Sequence, residues 1–259
     1  MTVTVDALVD ELSRRLGDTD PSQVVMAFDG DGTLWSGDVG EDLFRAAMRD
    51  EFLIDDALPA LLAEAAEHQV PLNGSVGANA VARTLLGAYL AGSYPERETC
   101  AMMAWCYAGR LLADVQALAA SVLAAQDLAG RLHRELSPIV EWSRQHRVRT
   151  VLISASPRAV VEQAAAFWGF GSSDIAAATP AVEGGRVLPR LAAPVPYAEA
   201  KLSAGRGLFG DARWLAAFGD NIFDIDMLTT AEVGIAVRPK PKLTAKLSAL
   251  GIRLLARQG

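Results

Sequence analysis

The sequence predicts an α/β fold, a doubly wound parallel sheet with an all-helical subdomain inserted into it. Three observations carry this expectation. Val24–Phe28, Arg149–Ile153 and Trp214–Phe218 are short apolar runs that end in polar or small residues, as buried parallel strands do. Helical stretches separate the runs, and strands alternating with helices indicate a parallel sheet covered on both faces. Between the first two runs, residues 38–135 carry almost no strand signal and far exceed the dozen or so residues that a crossover helix needs.

Each element has its own signal. Residues 4–17 alternate charge and leucine or valine at helical spacing, which predicts an amphipathic helix leading into the core. Val24–Phe28 comes next as the first strand. The segment 38–135 is rich in alanine, with Val115, Leu118 and Val122 on one helical stripe, so it reads as a helical cap. Ser137 and Pro138 then suit the N-cap and first turn of a helix returning to the core. Arg149–Ile153 is the second strand, and Ser156-Pro157 reads as the start of the next helix. A hairpin is expected over 177–188, turning at Glu183-Gly184-Gly185. Trp214–Phe218 is the third main strand. Val233–Val237 is a fourth, which Pro239 and Pro241 prevent from continuing. The expected organisation is an N-terminal helix within 1–20, a core of 21–37 and 136–259, and a cap of 38–135.

Composition narrows the function. Of 259 residues, 51% are hydrophobic, enough for a sizeable core, and the formal charge of −7 disfavours nucleic acid or an anionic membrane as partner. Neither a signal peptide nor a membrane span is visible, so a cytoplasmic protein is expected, of open oligomeric state. Cys100 and Cys106 match no zinc spacing and read as core thiols. His68, His133 and His146 read as surface residues. "GRGLFG" (205–210) has the glycine spacing of a dinucleotide fingerprint but comes after a helix, the wrong context, and reads as a helix exit. Lys240 and Lys242, flanking Pro241, read as a solvated turn.

The chemistry lies in the residues just beyond the strands. Ligands of open parallel sheets bind outside the strands' carboxyl ends. Those ends carry Asp29-Gly-Asp31-Gly-Thr33, then Ser154-Ala155-Ser156, then Gly219-Asp220-Asn221 and Asp224. Four carboxylates drawn together would repel one another unless a cation sat among them, and a hard cation with oxygen ligands, Mg²⁺, answers that need. The expected helix start at Ser156 favours an anion such as phosphate. Lys201, in "YAEAKLSA", is a candidate fixed positive charge.

This set resembles the haloacid dehalogenase superfamily of phosphohydrolases. Asp29-x-Asp31-Gly-Thr33, Ser154, Lys201 and Gly219-Asp220-x-x-x-Asp224 keep the order of the family's four motifs, with a helical insertion after the first. The resemblance implies a Rossmann-like core and a Mg²⁺-dependent phosphatase acting on a small phosphorylated metabolite. Asp29 would be the nucleophile that forms an aspartyl-phosphate, and Asp31 the general acid and base. Asp29, the Asp31 carbonyl and Asp220 would hold Mg²⁺, with Asp224 as ligand or support. Ser154, Lys201 and neighbouring groups at Thr33, Ala155, Ser156 and Asn221 would bind the phosphoryl oxygens. An aspartate at position 31 points to a phosphatase or a phosphomutase rather than a dehalogenase. A non-catalytic binding module is the remaining alternative, although such a protein should have lost at least one of Asp29, Asp31, Lys201 or Asp220, and all four are present.

Within the family the likeness is to phosphoserine-phosphatase-like and phosphorylcholine-phosphatase-like members, which share the cap, the "YAEAK" lysine motif and the Gly184-Gly185-Arg186 hairpin. Where phosphoserine phosphatases place a glutamate to grip the substrate ammonium, this chain has Asp38. Ala155-Ser156 replaces their two glycines, and Asn221 and Phe223 depart from their fourth motif. The substrate is therefore open among amino alcohol phosphates, sugar phosphates and intermediates of specialised metabolism. Asp38 and Glu41 are candidate substrate contacts, or else the charged first turn of a helix. Trp35 is a candidate pocket aromatic or a hinge residue. Trp105, Tyr107 and Arg110 either face the site from the cap or pack in its core.

Overall fold

The computed structural model describes residues 1–257, so residues 258–259 of the expected core segment lie outside the described residues. The chain opens with β1 (Thr2–Val3) and α1 (Val5–Leu16). Thr4 caps α1 by accepting the Ala7 N–H, and Val5, Leu8, Leu12 and Leu16 form its buried stripe. β2 (Val24–Phe28) is wholly buried. Val24, Met26 and Phe28 join the core on one face of the sheet, and Val25 and Ala27 join a second core on the other. That two-sided burial is why the strand is an unbroken apolar run rather than an alternating one.

The helical insert comes next, with α2 (Val39–Arg49), α3 (Leu58–Glu67), α4 (Ala78–Leu90), α5 (Glu96–Trp105), α6 (Leu112–Ala125) and α7 (Leu128–Arg131). Its entry and exit lie side by side. The Ser36 N–H donates to Arg131 O (3.0 Å), and the His133 N–H donates to Leu34 O (2.9 Å). Arg131 clamps the same place, donating to Ser36 O and pairing with Asp42 at 2.6 Å.

The chain re-enters the sheet layer through α8 (Ser137–Gln145) and β3 (Arg149–Pro157). Ser137 is the first helical residue rather than the cap, because the preceding turn already continues into the helix and leaves its hydroxyl no capping position. β3 runs further than expected, through Ser156 and Pro157, and α9 begins only at Arg158 (to Ala166). Pro157 still pairs with Ala178 across an irregularity, and proline at a strand end forfeits no ladder hydrogen bond there.

β4 (Ile175–Ala178) completes this half of the sheet, so the first residues of the expected hairpin belong to the main sheet. The hairpin proper pairs β5 (Pro180–Glu183) with β6 (Arg186–Leu191) and turns at Gly184-Gly185. The chain continues through α10 (Ala200–Phe209), β7 (Arg213–Gly219), α11 (Ile225–Thr230), β8 (Val233–Ala236) and β9 (Arg253–Leu255). "GRGLFG" is the last part of α10, which exits at Gly210 with φ +60°. The short β1 and β9 carried no readable signal, and they pair with each other at one edge.

All seven strands of the main sheet are parallel, in the order β1-β9-β8-β7-β2-β3-β4. β2 lies between β7 and β3, so the three polar strand ends that are far apart in sequence become neighbours in space.

Candidate active site

The centre of the site is Asp29, directly after β2. Its N–H continues the ladder to Phe218 O (2.9 Å), which fixes the backbone on which the carboxylate stands. Asp29 Oδ1 accepts from Lys201 Nζ at 2.7 Å, and Oδ2 accepts from the Thr33 hydroxyl at 3.0 Å. The same ammonium reaches Asp224 Oδ1 at 2.5 Å. Burial penalises the Lys201 charge, but Asp224 and Asp29 outweigh it and hold the ammonium above the ordinary lysine range. Burial likewise pushes the Asp29 carboxyl up to about 7 despite Lys201.

Asp224 has both oxygens engaged. Oδ2 accepts the N–H groups of Asp220 (3.0 Å) and Asn221 (2.9 Å), closing a capping box over the turn after β7. Asp220 is different. Its Oδ2 pairs with Lys240 Nζ at 3.2 Å, while its buried Oδ1 has no partner among the described residues. Burial first, then the neighbouring Asp29, raises its carboxyl to about 8.

Asp29, Asp220 and Asp224 each offer an oxygen within 4.8 Å of the others. The loop leaves room for this only because residue 32 is glycine. Gly32 has φ +83°, and a Cβ there would lie 2.2 Å from Asp220 Oδ2. An orphaned buried carboxylate oxygen, an all-oxygen donor set and a cradle that a methyl group would fill suit a small hard cation.

Asp31 sits at the edge of this cluster. Its Oδ1 accepts from the Trp35 indole N–H (2.7 Å) and the Val39 N–H (2.8 Å), and its Oδ2 accepts from the Ser156 hydroxyl (2.6 Å). Desolvation, reinforced by Asp38, nevertheless raises it to about 7. The Ser154 hydroxyl is buried and accepts the Ser156 N–H at 3.1 Å.

The carboxylates line a cavity of about 80 Å³ that Ser154, Ala155, Ser156, Lys201, Asn221 and Asp38 also border. Asp38 is the N-cap of α2, accepting the Glu41 N–H at 2.7 Å, so it caps the helix and borders the cavity at once.

Six expected candidates stand elsewhere. Thr33 is behind Asp29 rather than in the cavity wall. Glu41 pairs with Arg45 along α2. Arg110 donates to Phe52 O (2.8 Å) with its guanidinium over the Phe52 ring. Trp35 is completely buried, its indole spent on Asp31, so it is not a pocket aromatic. Trp105 and Tyr107 are core residues of the insert.

Other side chains border the cavity without having been anticipated, namely Glu96 and Cys100 of α5, Tyr197, Phe223 and Lys240. Cys100 is thus a wall residue, while Cys106 is the core thiol expected. Lys240 is not only a solvated turn. Its N–H also donates to Asp220 O (2.8 Å), which brings its half-exposed side chain over the carboxylate. Tyr197 packs at a tilt against Phe223 with ring centroids 4.4 Å apart, and its place four residues before Lys201 is the one signal that could have found it. His133 is not on the surface but buried, with Nδ1 2.8 Å from Thr33 O. The hinge turns it inward, which a charged local sequence does not reveal. The other two histidines are half-buried and away from the cavity.

A family model described as haloacid dehalogenase-like hydrolase matches residues 26–229. No curated protein sequence matches the chain. Among solved structures, a protein of unknown function from Bordetella pertussis Tohama I is similar at 17% identity and a TM-score of 0.71, over 91% of this chain and 99% of that one. A HAD family hydrolase, t0658, from Salmonella enterica serovar Typhi is similar at 16% identity and 0.58, over 96% and 75%. A substrate-bound phosphoserine phosphatase is similar at 15% identity and 0.55, over 90% and 92%. At such identities these likenesses speak for the fold.

Proposed function

The chain belongs to the haloacid dehalogenase-like hydrolases, and from that premise we propose that it is a Mg²⁺-dependent phosphatase of a small phosphate monoester, working through an aspartyl-phosphate. The observation that carries this reading is the meeting of Asp29, Asp31, Lys201 and Asp220 around one small cavity. Phosphoserine phosphatases among the structural neighbours support it. Among the described residues no helix is long and apolar enough to cross a membrane.

Asp29 and Asp220 would hold the metal, with the Asp31 carbonyl, and Asp224 would stand behind them because its Oδ2 already accepts two backbone N–H groups and its Oδ1 the Lys201 ammonium. When bound, the metal supplies charge neutralisation for the phosphoryl oxygens and for the crowded carboxylates. The Asp29 carboxylate attacks phosphorus in line. A new O–P bond forms as the bond to the leaving oxygen breaks, and Asp31 gives its proton to that oxygen. A water then attacks the phosphoryl group, Asp31 takes its proton, and the Asp29–phosphorus bond breaks to release inorganic phosphate. Lys201 and Thr33 hold the Asp29 carboxylate in place, and Lys201, Ser154 and the Ala155 and Asn221 segments border the space for phosphoryl oxygens. The insert covers the site, so 38–135 acts as a cap that excludes large esters.

The test is phosphate release from a panel of small esters, with Mg²⁺ and with chelator, beside Asp29→Asn. Mg²⁺-dependent release that the variant abolishes is expected. No release from any ester would refute hydrolysis, and isomerised ester without free phosphate would assign a mutase instead.

A further inference from the structure

The Asp31 carboxylate is held by donors from three separate segments, and the donors are not equivalent. Both donors to Oδ1, the Trp35 indole N–H at 2.7 Å and the Val39 N–H at 2.8 Å, can only donate. With two such donors Oδ1 has no lone pair left for a proton. Oδ2 has one partner, the Ser156 hydroxyl at 2.6 Å, and a hydroxyl can turn from donor to acceptor. The transferable proton therefore belongs on Oδ2.

Trp35 is also built into the place where the insert leaves and rejoins the sheet layer. It forms bridges with Asp31 and with Leu132 on the returning chain, and the Gly32 N–H donates to its carbonyl at 2.7 Å. Its six-membered ring fills the space beside Gly30, where a Cβ would come within 2.9 Å of it. The indole can therefore neither rotate nor leave without moving the loop. Val39, the second donor, is the first residue of α2.

We infer that Trp35 is a positioning residue for the general acid: with the first N–H of α2, it fixes which oxygen of Asp31 delivers the proton and ties that geometry to the hinge. This rests on the phosphatase reading, in which Asp31 protonates the leaving oxygen as the bond to phosphorus breaks. An alkoxide is a poor leaving group and depends on that proton, whereas p-nitrophenolate departs without it. Loss of Oδ1 anchoring must then cost more on alkyl than on aryl esters, a distinction that a merely structural tryptophan would not make.

The experiment measures kcat/KM, which covers the steps through leaving-group departure, for the full-length protein with Mg²⁺. The substrates are p-nitrophenyl phosphate and the alkyl monoester that the wild type turns over fastest. Trp35→Phe should lower the alkyl-to-aryl ratio of kcat/KM by about 10- to 100-fold, the loss of one hydrogen bond to a charged group. Val39→Pro is the second variant. It removes the other donor at a first helical position that tolerates proline, after a residue (Asp38, φ −129°, ψ 110°) already in the extended region that proline demands of its predecessor. It should lower the same ratio, and it decides the matter if Trp35→Phe does not fold. An unchanged ratio in a folded, active variant overturns the role of Trp35 and leaves the phosphatase reading standing. A wild type inert on every ester overturns that reading, and this inference with it.

Discussion

Replacing Lys201 by methionine isolates the electrostatics of the site from its packing, since methionine matches the lysine stem closely and leaves no large void. The ammonium lies 2.7 Å from Asp29 and 2.5 Å from Asp224, and all three side chains are buried. Removing one partner of a buried ion pair typically costs about 3–5 kcal/mol, because the charge left behind is neither paired nor solvated. For a chain of this size that corresponds to a melting point lower by about 6–20 °C. The loss should also depend on pH in a definite direction. Asp29 already titrates near 7 with Lys201 beside it, and without the ammonium its folded-state pKa rises further above the unfolded value. A carboxyl raised in the folded state stabilises most below its unfolded pKa and loses that contribution as pH rises through the folded pKa. The deficit of Lys201→Met relative to wild type should therefore be largest near pH 8 and shrink toward pH 6, where the carboxyl can neutralise itself. Urea unfolding of metal-free protein at the two pH values measures it. Equal stability of variant and wild type at the higher pH, or a deficit that does not change with pH, would refute the reasoning.

The same geometry sets three other expectations. Metal-free wild type should lose stability as pH rises from about 5 to about 8 and level off above that, because Asp29 and Asp31 (about 7) and Asp220 (about 8) are all raised by burial and keep protons that the unfolded chain has already released; calorimetric melts with and without Mg²⁺ check this, and Mg²⁺ should flatten the slope. Gly32→Ala should weaken Mg²⁺ binding at least about tenfold by titration calorimetry and destabilise the protein by about 1–3 kcal/mol, since its methyl group meets Asp220 in a backbone region that disfavours side chains. Lys240→Met should tighten Mg²⁺ binding by roughly 3- to 10-fold by removing a competing cation from Asp220 Oδ2, and an unchanged Kd would show that the lysine does not compete.

What could be read from the chain depended on whether a signal was local. β2 was legible to the residue because both its faces are buried, so nothing polar interrupts it. The clustering of Asp29, Ser154 and Asp220 was legible because one rule of parallel sheets brings strand ends together. Lys240 was not, since its role comes from the way the chain turns after β8 and lays its N–H on the Asp220 carbonyl. His133 was misjudged, and Trp35 was left open between pocket and hinge, for a related reason. Each faces inward because the two strands of the hinge lie against each other, and that pairing joins residues about a hundred positions apart. β3 overran its expected end because Pro157 retains a partner in β4, a tertiary fact that the Ser-Pro signal for a helix start does not contain.

The closeness of the insert's two ends has a consequence for the history of such a molecule. With Ser36 bonded to Arg131 and Leu34 to His133, the sheet sees the intervening segment as a loop whose ends are already closed, whatever its length. Doubling such a loop adds only about 0.6 kcal/mol of closure entropy. Helices beyond the first turn of α2 can thus be gained, lost or exchanged there at little cost to the folding of the sheet beneath, making this the natural place for descendants of one catalytic core to diverge in what they admit.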